Sequence, residues 1–246
     1  MANITAFLHK MRISKGSTIS HTSFSKTLKG SFYISIDEIE EFFVLYTKAL
    51  EDGEELSITE AHQRIAPVLI DLDFKQNTKD RLYTDDMIIN FIKALKQQLT
   101  LYLEVEDDCV QFFVLEKLEP RPDKNGGFKD GIHIVCPYIC TEPIVQQKIR
   151  QYILSEHMNN IFGDIFTNTY QDIYDEAVIE RNNWFMYGSK KPDEEYGWTL
   201  TKIYNIQLEE IDNEFEVGQL IRLLSIRNKD MATPIKADKL EVFTVK

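Results

Sequence analysis

Near residue 70, a short apolar run carries two acids at alternating positions. Residues 67–74 read Pro-Val-Leu-Ile-Asp-Leu-Asp-Phe and lack the three-to-four-residue period of a helix. The run therefore predicts a buried β-strand. Because successive side chains of a strand point to opposite faces, Leu69, Asp71 and Asp73 share one face. The opposite, wholly apolar face consists of Val68, Ile70, Leu72 and Phe74.

The two acids on this strand indicate a candidate metal site. Neighbouring carboxylates repel each other, and each loses water on burial. A divalent cation with oxygen ligands relieves both costs, so Asp71 and Asp73 are candidate ligands. The alternative is that the strand ends at Ile70 and both acids lie in a solvated turn. An isolated Asp-x-Asp favours that alternative, so the companions of this motif decide its meaning.

Helical periodicity and capping signals predict four helices. Ser35 and Glu38 form a capping box ahead of one apolar stripe. Thr84, followed by Asp85 and Asp86, opens a helix with a second apolar stripe. Pro143 suits the first turn of a third helix. The predicted ranges are 39–49, 57–64, 85–99 and 143–161.

Further strands are predicted between these helices. Residues 16–30, rich in Ser, Thr and Gly, are predicted to be loop. The predicted strands are 31–36, 110–115, 131–137, 184–187 and 199–206, and residues 240–245 still alternate where the chain stops. The last pattern suggests a piece trimmed from a longer protein. Interleaved strands and helices predict an α+β or mixed α/β fold.

Composition limits the class of protein. The chain has 246 residues and 43% apolar residues, enough for one large domain or two packed modules. No apolar run reaches the length of a membrane span. Three cysteines without a CxxC pairing favour a reduced, intracellular protein.

Charge is unevenly distributed along the chain. The net charge of −12 argues against a non-specific nucleic-acid binder. Residues 1–30 nevertheless carry five Lys or Arg and no acid, whereas residues 37–60 carry nine acids and only Lys48. The basic segment could follow a phosphate backbone, or it could simply be solvated.

Three further clusters accompany Asp71 and Asp73. The first, Lys129 to His133, places a histidine on a strand two residues after a glycine; the second is Asp175, with Asp172 as its rival. The third is a strand that ends in the turn Gly188-Ser189-Lys190-Lys191-Pro192, whose N–H groups, hydroxyl and ammonium groups suit phosphates. Taken singly, the histidine is more typical of a hydrogen-bonded core residue and the acid of a helix or turn. The third cluster, taken singly, is an ordinary polar turn at least as often as a phosphate site.

The order of these motifs resembles the archaeo-eukaryotic primase superfamily. The series is an apolar-Asp-apolar-Asp strand, a Gly-x-His strand, an Asp and a Gly-Ser-x-Lys-Pro turn, from about Thr59 to Pro192. It is most similar to the N-terminal primase domains of poxvirus and giant-virus primase-helicases, and the Ser-His-Thr-Ser of residues 20–23 resembles the giant-virus members. Gly131 stands where many relatives have serine, which leaves a hydroxyl contact to substrate open.

The resemblance implies a fold and a set of site residues. The fold would be α+β, an α/β module packed on an RRM-like module with the active site in the cleft between them. The approximate modules would be residues 1–108 and 109–246 of one catalytic domain, excised from a longer primase-helicase. Asp71, Asp73 and Asp175 would bind metal. The nucleotide-binding set would be Lys129, Gly131, His133, Ser189, Lys190 and Lys191, with His133 also a catalytic residue.

The resemblance also implies an activity and its partners. The expected function is primer synthesis on a single-stranded DNA template from NTPs or dNTPs, in a viral replication compartment inside the host cell. Joining a 3′-hydroxyl to an α-phosphate suits two cations about 3.5–4 Å apart. Mg²⁺ and Mn²⁺ both accept oxygen ligands, and His133 could bind the cation instead of phosphate. No helicase P-loop occurs in the chain, so a helicase domain is expected elsewhere in the full-length protein.

Two other functions remain open on the sequence. The acidic charge and Gly131 fit a decayed domain that binds nucleotide or replication partners without catalysis. A metal-dependent nuclease could use the same acids with water as the nucleophile. The chain lacks the HxH pair of replication nickases, which ranks this last function lowest.

Overall fold

The computed structural model describes residues 3–229 and 231–243. Its helices are α1 (Ile4–Lys10), α2 (Ile39–Glu51), α3 (Asp85–Tyr102), α4 (Pro143–Glu156), α5 (Met158–Phe162), α6 (Tyr170–Ile173), α7 (Ala177–Glu180), α8 (Val217–Leu223) and α9 (Leu240–Phe243). Its strands are β1 (His21–Ser23), β2 (Gly30–Phe32), β3 (Ile58–Glu60), β4 (Ala66–Gln76), β5 (Phe112–Glu116), β6 (Arg121–Pro122), β7 (Phe128–Thr141), β8 (Trp184–Phe185), β9 (Thr199–Tyr204) and β10 (Glu210–Ile211). The predicted α+β class is confirmed.

The chain divides into two compact units that interleave in sequence. Unit 1 comprises Met1–Gln63, Asn182–Thr199 and Glu214–Asn228, and unit 2 comprises Arg64–Arg181, Leu200–Asn213 and Lys229–Lys246. The RRM-like module and the division at residues 108 and 109 stay predictions. No described helix has both the length and the apolar character that crossing a membrane requires.

Unit 1 is built on an antiparallel four-stranded sheet in the order β2-β1-β3-β8. One face of this sheet packs on α1 and α2, whose apolar stripes are buried. The core includes Phe7, Phe32, Phe42, Tyr46 and Ile58. This unit therefore has its own hydrophobic core.

Unit 2 is built on a sheet in which β10, β9, β5, β7 and β4 are neighbours in that order, with β6 paired to β7. The predicted apolar face of β4 is confirmed, since it packs on α3 and the helices after β7. Val68, Ile70, Leu72 and Phe74 are at most 2% exposed. This packing leaves the Asp71 and Asp73 face directed away from the helices.

Four local predictions are wrong. Residues 57–64 contain β3 instead of a helix, because Ile58 and Thr59 fit a strand paired on both sides. Within the predicted loop 16–30 lies β1, which β2 and β3 hold in the sheet. The predicted helix 143–161 is interrupted at His157, whose φ of −123° is not helical. Residues 240–243 form α9 instead of a strand, and the rest of that prediction, residues 244–245, lies outside the described residues.

The start of α3 provides a test of the predicted capping. Thr84 Oγ1 accepts a hydrogen bond from Met87 N at 3.3 Å, as the pattern predicts. We expect Thr84→Ala to lower the free energy of unfolding by about 1 kcal/mol in urea titrations, because one amide loses its partner. Thr100→Ala is the matched control, since its hydroxyl donates back to Lys96 O inside the same helix and contributes little. Equal losses in the two variants would contradict the capping role.

Candidate active site

Two neighbouring strands bring the Asp-x-Asp and Gly-x-His motifs together. In the antiparallel pair of β4 and β7, Asp71 lies opposite His133 and Asp73 opposite Gly131. Directly opposite residues share a face, so the four positions form one patch on the face away from α3 and α4. His133 Nε2 lies 3.4 Å from Asp71 Oδ1. Strand register thus joins motifs that lie some 60 residues apart.

The third predicted carboxylate lies beside this patch. Tyr174 forms a bridge with Leu72, and Asp175 N donates to Asp71 O at 3.0 Å. The segment with Asp175 therefore covers the free edge of β4 and places Asp175 next to Asp71. Its Oδ1 accepts from Ala177 N at 2.9 Å, which fixes the start of α7.

The rival acid, Asp172, has a local role. It lies exposed on α6, and its Oδ2 accepts from Thr169 Oγ1 at 2.8 Å. This contact stabilises the first turn of α6. The structure therefore favours Asp175 over Asp172 as the companion of Asp71 and Asp73.

An asparagine that the sequence interpretation missed holds the same edge. Asn168 Oδ1 accepts from Lys75 N at 2.9 Å, and Asn168 Nδ2 donates to Asp73 O at 2.9 Å. The side-chain amide thus pairs with β4 as a neighbouring strand would. It satisfies the backbone around Asp73 and keeps that residue extended. A lone Asn in a polar loop gives no sequence signal for this role.

The chemistry of the patch fits a divalent cation. Asp71 Oδ1 is buried and accepts no hydrogen bond within normal geometry, although His133 lies nearby. A buried carboxylate oxygen without a donor is costly, and a cation would satisfy it. Asp73 and Asp175 offer further oxygen ligands on the same strand and its edge.

The three acids are not gathered as tightly as a closed metal cage. Among the described residues, one group of three metal-ligating side chains has all its ligand atoms within 4.8 Å of one another: Glu106, Asp108 and Cys109, on and beside a 3₁₀ turn. Asp71, Asp73 and Asp175 do not meet that distance. Mg²⁺ and Mn²⁺ usually keep water or phosphate oxygens among their ligands, so a site for either ion does not require three carboxylates this close together.

A buried charge network supports the strand that carries His133. The carboxylate of Asp130, just before Gly131, accepts from Arg81 Nε at 2.8 Å and from Gly131 N at 2.9 Å. Arg81 also lies 3.5 Å from Glu116 on β5, and Tyr83 Oη donates to that carboxylate at 2.8 Å. Burial lowers the pKa of Arg81, but its bonds to Asp130 and the charge of Glu116 raise it overall. No local sequence pattern indicates that Arg81 and Glu116 meet.

Comparison with known proteins identifies the domain. Residues 20–204 match the family described as the C962R protein N-terminal AEP domain, where AEP denotes archaeo-eukaryotic primase. The chain belongs to this primase family. The predicted family is therefore confirmed, and the match includes Asp71, Asp73, His133 and Asp175.

Several viral proteins are similar to this primase domain. It is 35% identical over 207 residues to the candidate helicase L207/L206 of Acanthamoeba polyphaga mimivirus, covering 81% of this chain and 21% of that protein. It is 25% identical over 221 residues to the candidate helicase 184R of Invertebrate iridescent virus 6, covering 78% and 22%. The chain thus spans about a fifth of the length of the curated relatives it matches.

The Gly-Ser-Lys-Lys turn of the primase domain lies in unit 1. Ser189 is buried; its Oγ bonds to Tyr46 Oη at 2.8 Å and accepts from Ile58 N at 2.9 Å. Lys190 Nζ lies 2.7 Å from Glu55 Oε1, whereas Lys191 is exposed. Gly188 has a φ of +82°, and a Cβ there would meet Leu50 at 2.5 Å, so the turn requires glycine. Ser189 therefore fixes the turn through its hydrogen bonds, and Lys190 and Lys191 give the turn its positive charge.

Lys129, the other predicted nucleotide contact, lies on β7 in unit 2. Its Nζ is 3.3 Å from Asp123 Oδ1, across the loop that joins β6 to β7. The Lys129 side chain is 36% exposed, whereas that of Asp123 is 6% exposed. Lys129 is thus accessible to a phosphate.

The Ser-His-Thr-Ser segment contributes a buried polar cluster to unit 1. His21 and Glu60 are fully buried, with His21 Nε2 3.6 Å from Glu60 Oε1. Ser225 Oγ and Ile226 N also donate to the Glu60 carboxylate, at 2.6 and 2.9 Å. Burial raises the pKa of Glu60, but these bonds and His21 lower it overall. The cluster joins three distant segments, so His21 has a structural role.

Proposed function

We propose that this domain synthesises primers on single-stranded DNA by metal-dependent nucleotidyl transfer from NTPs or dNTPs. The observation that carries the proposal is the patch on β4 and β7. There the buried, unsatisfied Asp71 Oδ1 lies beside Asp73, His133 and Asp175. Membership of the primase family supports the same activity.

The side chains have separate roles in this proposal. Asp71, Asp73 and Asp175 would hold Mg²⁺ or Mn²⁺, which when bound supplies positive charge at the reacting phosphate. His133 would donate a hydrogen bond to a phosphate oxygen of the incoming nucleotide and so orient its α-phosphate. The primer 3′-hydroxyl oxygen would form the new P–O bond and lose its proton to solvent, while the bond from the α-phosphorus to pyrophosphate breaks. Lys129, Lys190 and Lys191 are proposed to neutralise the triphosphate, and Ser189 and Gly131 to shape its contacts.

The full-length protein is proposed to be a viral primase-helicase. Similar proteins named as candidate helicases are about five times longer than the matched region. In that arrangement a helicase domain of the same chain would supply unwound template to the primase domain. The proposed setting is a replication compartment inside the infected cell.

One assay separates the three candidate functions. The purified protein is given a labelled single-stranded DNA template, Mn²⁺ and either NTPs or dNTPs. New template-directed oligonucleotides support the primase. Nucleotide binding without synthesis under all these conditions overturns it in favour of a binding module, and template degradation without nucleotides overturns it in favour of a nuclease.

His133 provides a test of nucleotide orientation. We expect His133→Ala to raise the KM for the incoming nucleotide about 10- to 100-fold, because a hydrogen bond to a charged group contributes roughly 1.5–3 kcal/mol. Steady-state synthesis at varied nucleotide concentration measures this change. His157→Ala is the control, since His157 lies between α4 and α5, away from β7. An unchanged KM in His133→Ala would contradict the assigned role.

A further inference from the structure

An aromatic pair, the exposed Phe24 and the half-buried Phe185, lies on the sheet face of unit 1 that does not pack on α1 and α2. Phe24 follows β1, and Phe24 N donates to Ser57 O, which continues the pairing with β3. Phe185 on β8 lies opposite Thr59 of β3. The two ring centroids are 6.2 Å apart across β3, and Phe24 is 47% exposed. A single exposed phenylalanine is common on protein surfaces and does not by itself indicate a binding site. The neighbouring residues therefore decide the interpretation.

Two exposed lysines follow Phe24 in the chain. Residues 24–29 form the hairpin loop between β1 and β2, in which Lys26 and Lys29 are exposed. Arg12 lies on the other, helix-packed face of the sheet, because its guanidinium stacks over the buried Phe32 ring, and its Nη1 donates to Lys29 O at 3.0 Å. Lys26 has one weak partner, Asp193, at 3.8 Å, and both side chains are more than 80% exposed. The charge of Lys26 therefore stays available to a ligand.

The hairpin is ordered before any ligand binds. Leu28 at its tip is buried in the core of unit 1, which anchors the loop. Ser25 N donates to Ser23 Oγ, and the hydroxyls of Ser25 and Thr27 are 3.1 Å apart. A pre-ordered loop loses little conformational entropy on binding.

A cavity of about 300 Å³ opens between this hairpin and the Gly-Ser-Lys-Lys turn. It is lined by three hydroxyl-bearing residues, two lysines, one acid and two apolar residues: Ser25, Thr27, Ser57, Lys26, Lys190, Glu55, Leu56 and Pro192. Lys190 pairs with Glu55 there, so Lys26 supplies the cavity's uncompensated charge. Hydroxyl and ammonium donors are the groups that bind phosphate oxygens. The cavity lies at the Ser57 end of β3, next to Phe24.

We infer that this surface of unit 1 binds single-stranded DNA. One base stacks on the Phe24–Phe185 pair, and an adjacent phosphate binds at Lys26 and the hydroxyls of the cavity. An aromatic platform flanked by cations is how proteins hold single strands without reading their sequence. The choice of template as the bound strand rests on the proposed function, but strand binding itself requires neither metal nor catalysis.

Binding of a fluorescent oligothymidylate, followed by anisotropy in EDTA without nucleotides, tests the inference. We expect Phe24→Ala to raise Kd about 5- to 150-fold, the effect of losing one stacked base, and Phe24→Trp to restore binding. We expect Lys26→Gln to reduce the slope of log K against log salt by about 0.7, the value for one phosphate on a single strand. Tyr33→Ala is the matched control, because Tyr33 is similarly exposed, at 45%, but lies at the opposite end of the β1–β2 pair.

The outcomes separate this surface from the proposed activity. Unchanged affinity in Phe24→Ala, or equal losses in Phe24→Ala and Tyr33→Ala, would overturn the inference. A protein that fails to make primers but binds the oligonucleotide through Phe24 would refute the activity and leave the surface intact. Asp71→Asn is expected to bind the oligonucleotide normally, since its carboxylate lies in unit 2.

Discussion

Asp71→Asn is expected to reduce primer synthesis by at least about 10³-fold. That factor corresponds to about 4 kcal/mol of transition-state stabilisation, which is within what bound cations supply to a phosphoryl centre. An amide loses the negative charge that holds the cation but keeps the size of the side chain. Product formation at saturating Mn²⁺ and nucleotide measures the effect.

The same substitution is expected to leave stability unchanged or to increase it. Asp71 Oδ1 is buried without a hydrogen bond, so its charge costs free energy in the folded protein without a cation. Urea unfolding in EDTA measures the free energy of unfolding without a bound cation, and so separates stability from activity. Calorimetric titration with Mn²⁺ should show weaker binding in Asp71→Asn. Lost stability together with unchanged Mn²⁺ affinity would show that Asp71 is structural.

Asp172→Asn is the matched control for the metal ligands. It removes one carboxylate from the same segment as Asp175, but that carboxylate bonds to Thr169. We expect nearly full synthesis in Asp172→Asn and a loss in Asp175→Asn. The reverse result would exchange the roles of the two acids.

Arg81→Ala is expected to lower the free energy of unfolding by about 3 kcal/mol. Arg81 bonds to Asp130, whose side chain is fully buried, and contacts Glu116, which is nearly so. Removing the cation leaves the buried Asp130 carboxylate without its counter-charge, and breaking a buried pair in this way costs roughly 3–5 kcal/mol. Glu116 keeps Lys202 at 3.8 Å, so the loss comes mainly from Asp130. We expect a loss at the lower end of this energy range because 29% of the Arg81 side chain is exposed to solvent. Chemical denaturation at neutral pH measures the loss.

Arg64→Ala tests whether burial, not pairing, causes that loss. Arg64 lies 2.8 Å from Glu142, the same distance as Arg81 from Asp130, but its side chain is 82% exposed. We expect a change below about 1 kcal/mol there, as for other surface pairs. Similar effects in the two variants would refute the importance of the buried network. Because Asp130 also holds Gly131 N, Arg81→Ala should weaken synthesis as well.

Local sequence patterns predicted the long elements and the family. The period-two run at residues 67–74 and the capped apolar stripe after Thr84 gave β4 and α3, because each buries one face along its whole length. Short elements were harder to predict. β1 and β3 have three residues each and are strands because their neighbours pair with them.

The sequence pattern supplied the candidate residues: two acids on an apolar strand, a Gly-x-His strand and the primase-like order of motifs. Which of these candidates lie together is visible only in the folded protein. Strand register places Asp71 opposite His133. The bridge between Leu72 and Tyr174 brings Asp175, not Asp172, next to β4. Asn168 and Arg81 hold β4 and β7 in place through hydrogen bonds. The physical reason is that hydrophobic period and capping act over a few residues. Strand pairing and buried charge networks instead join residues far apart in the chain, and no local pattern records them.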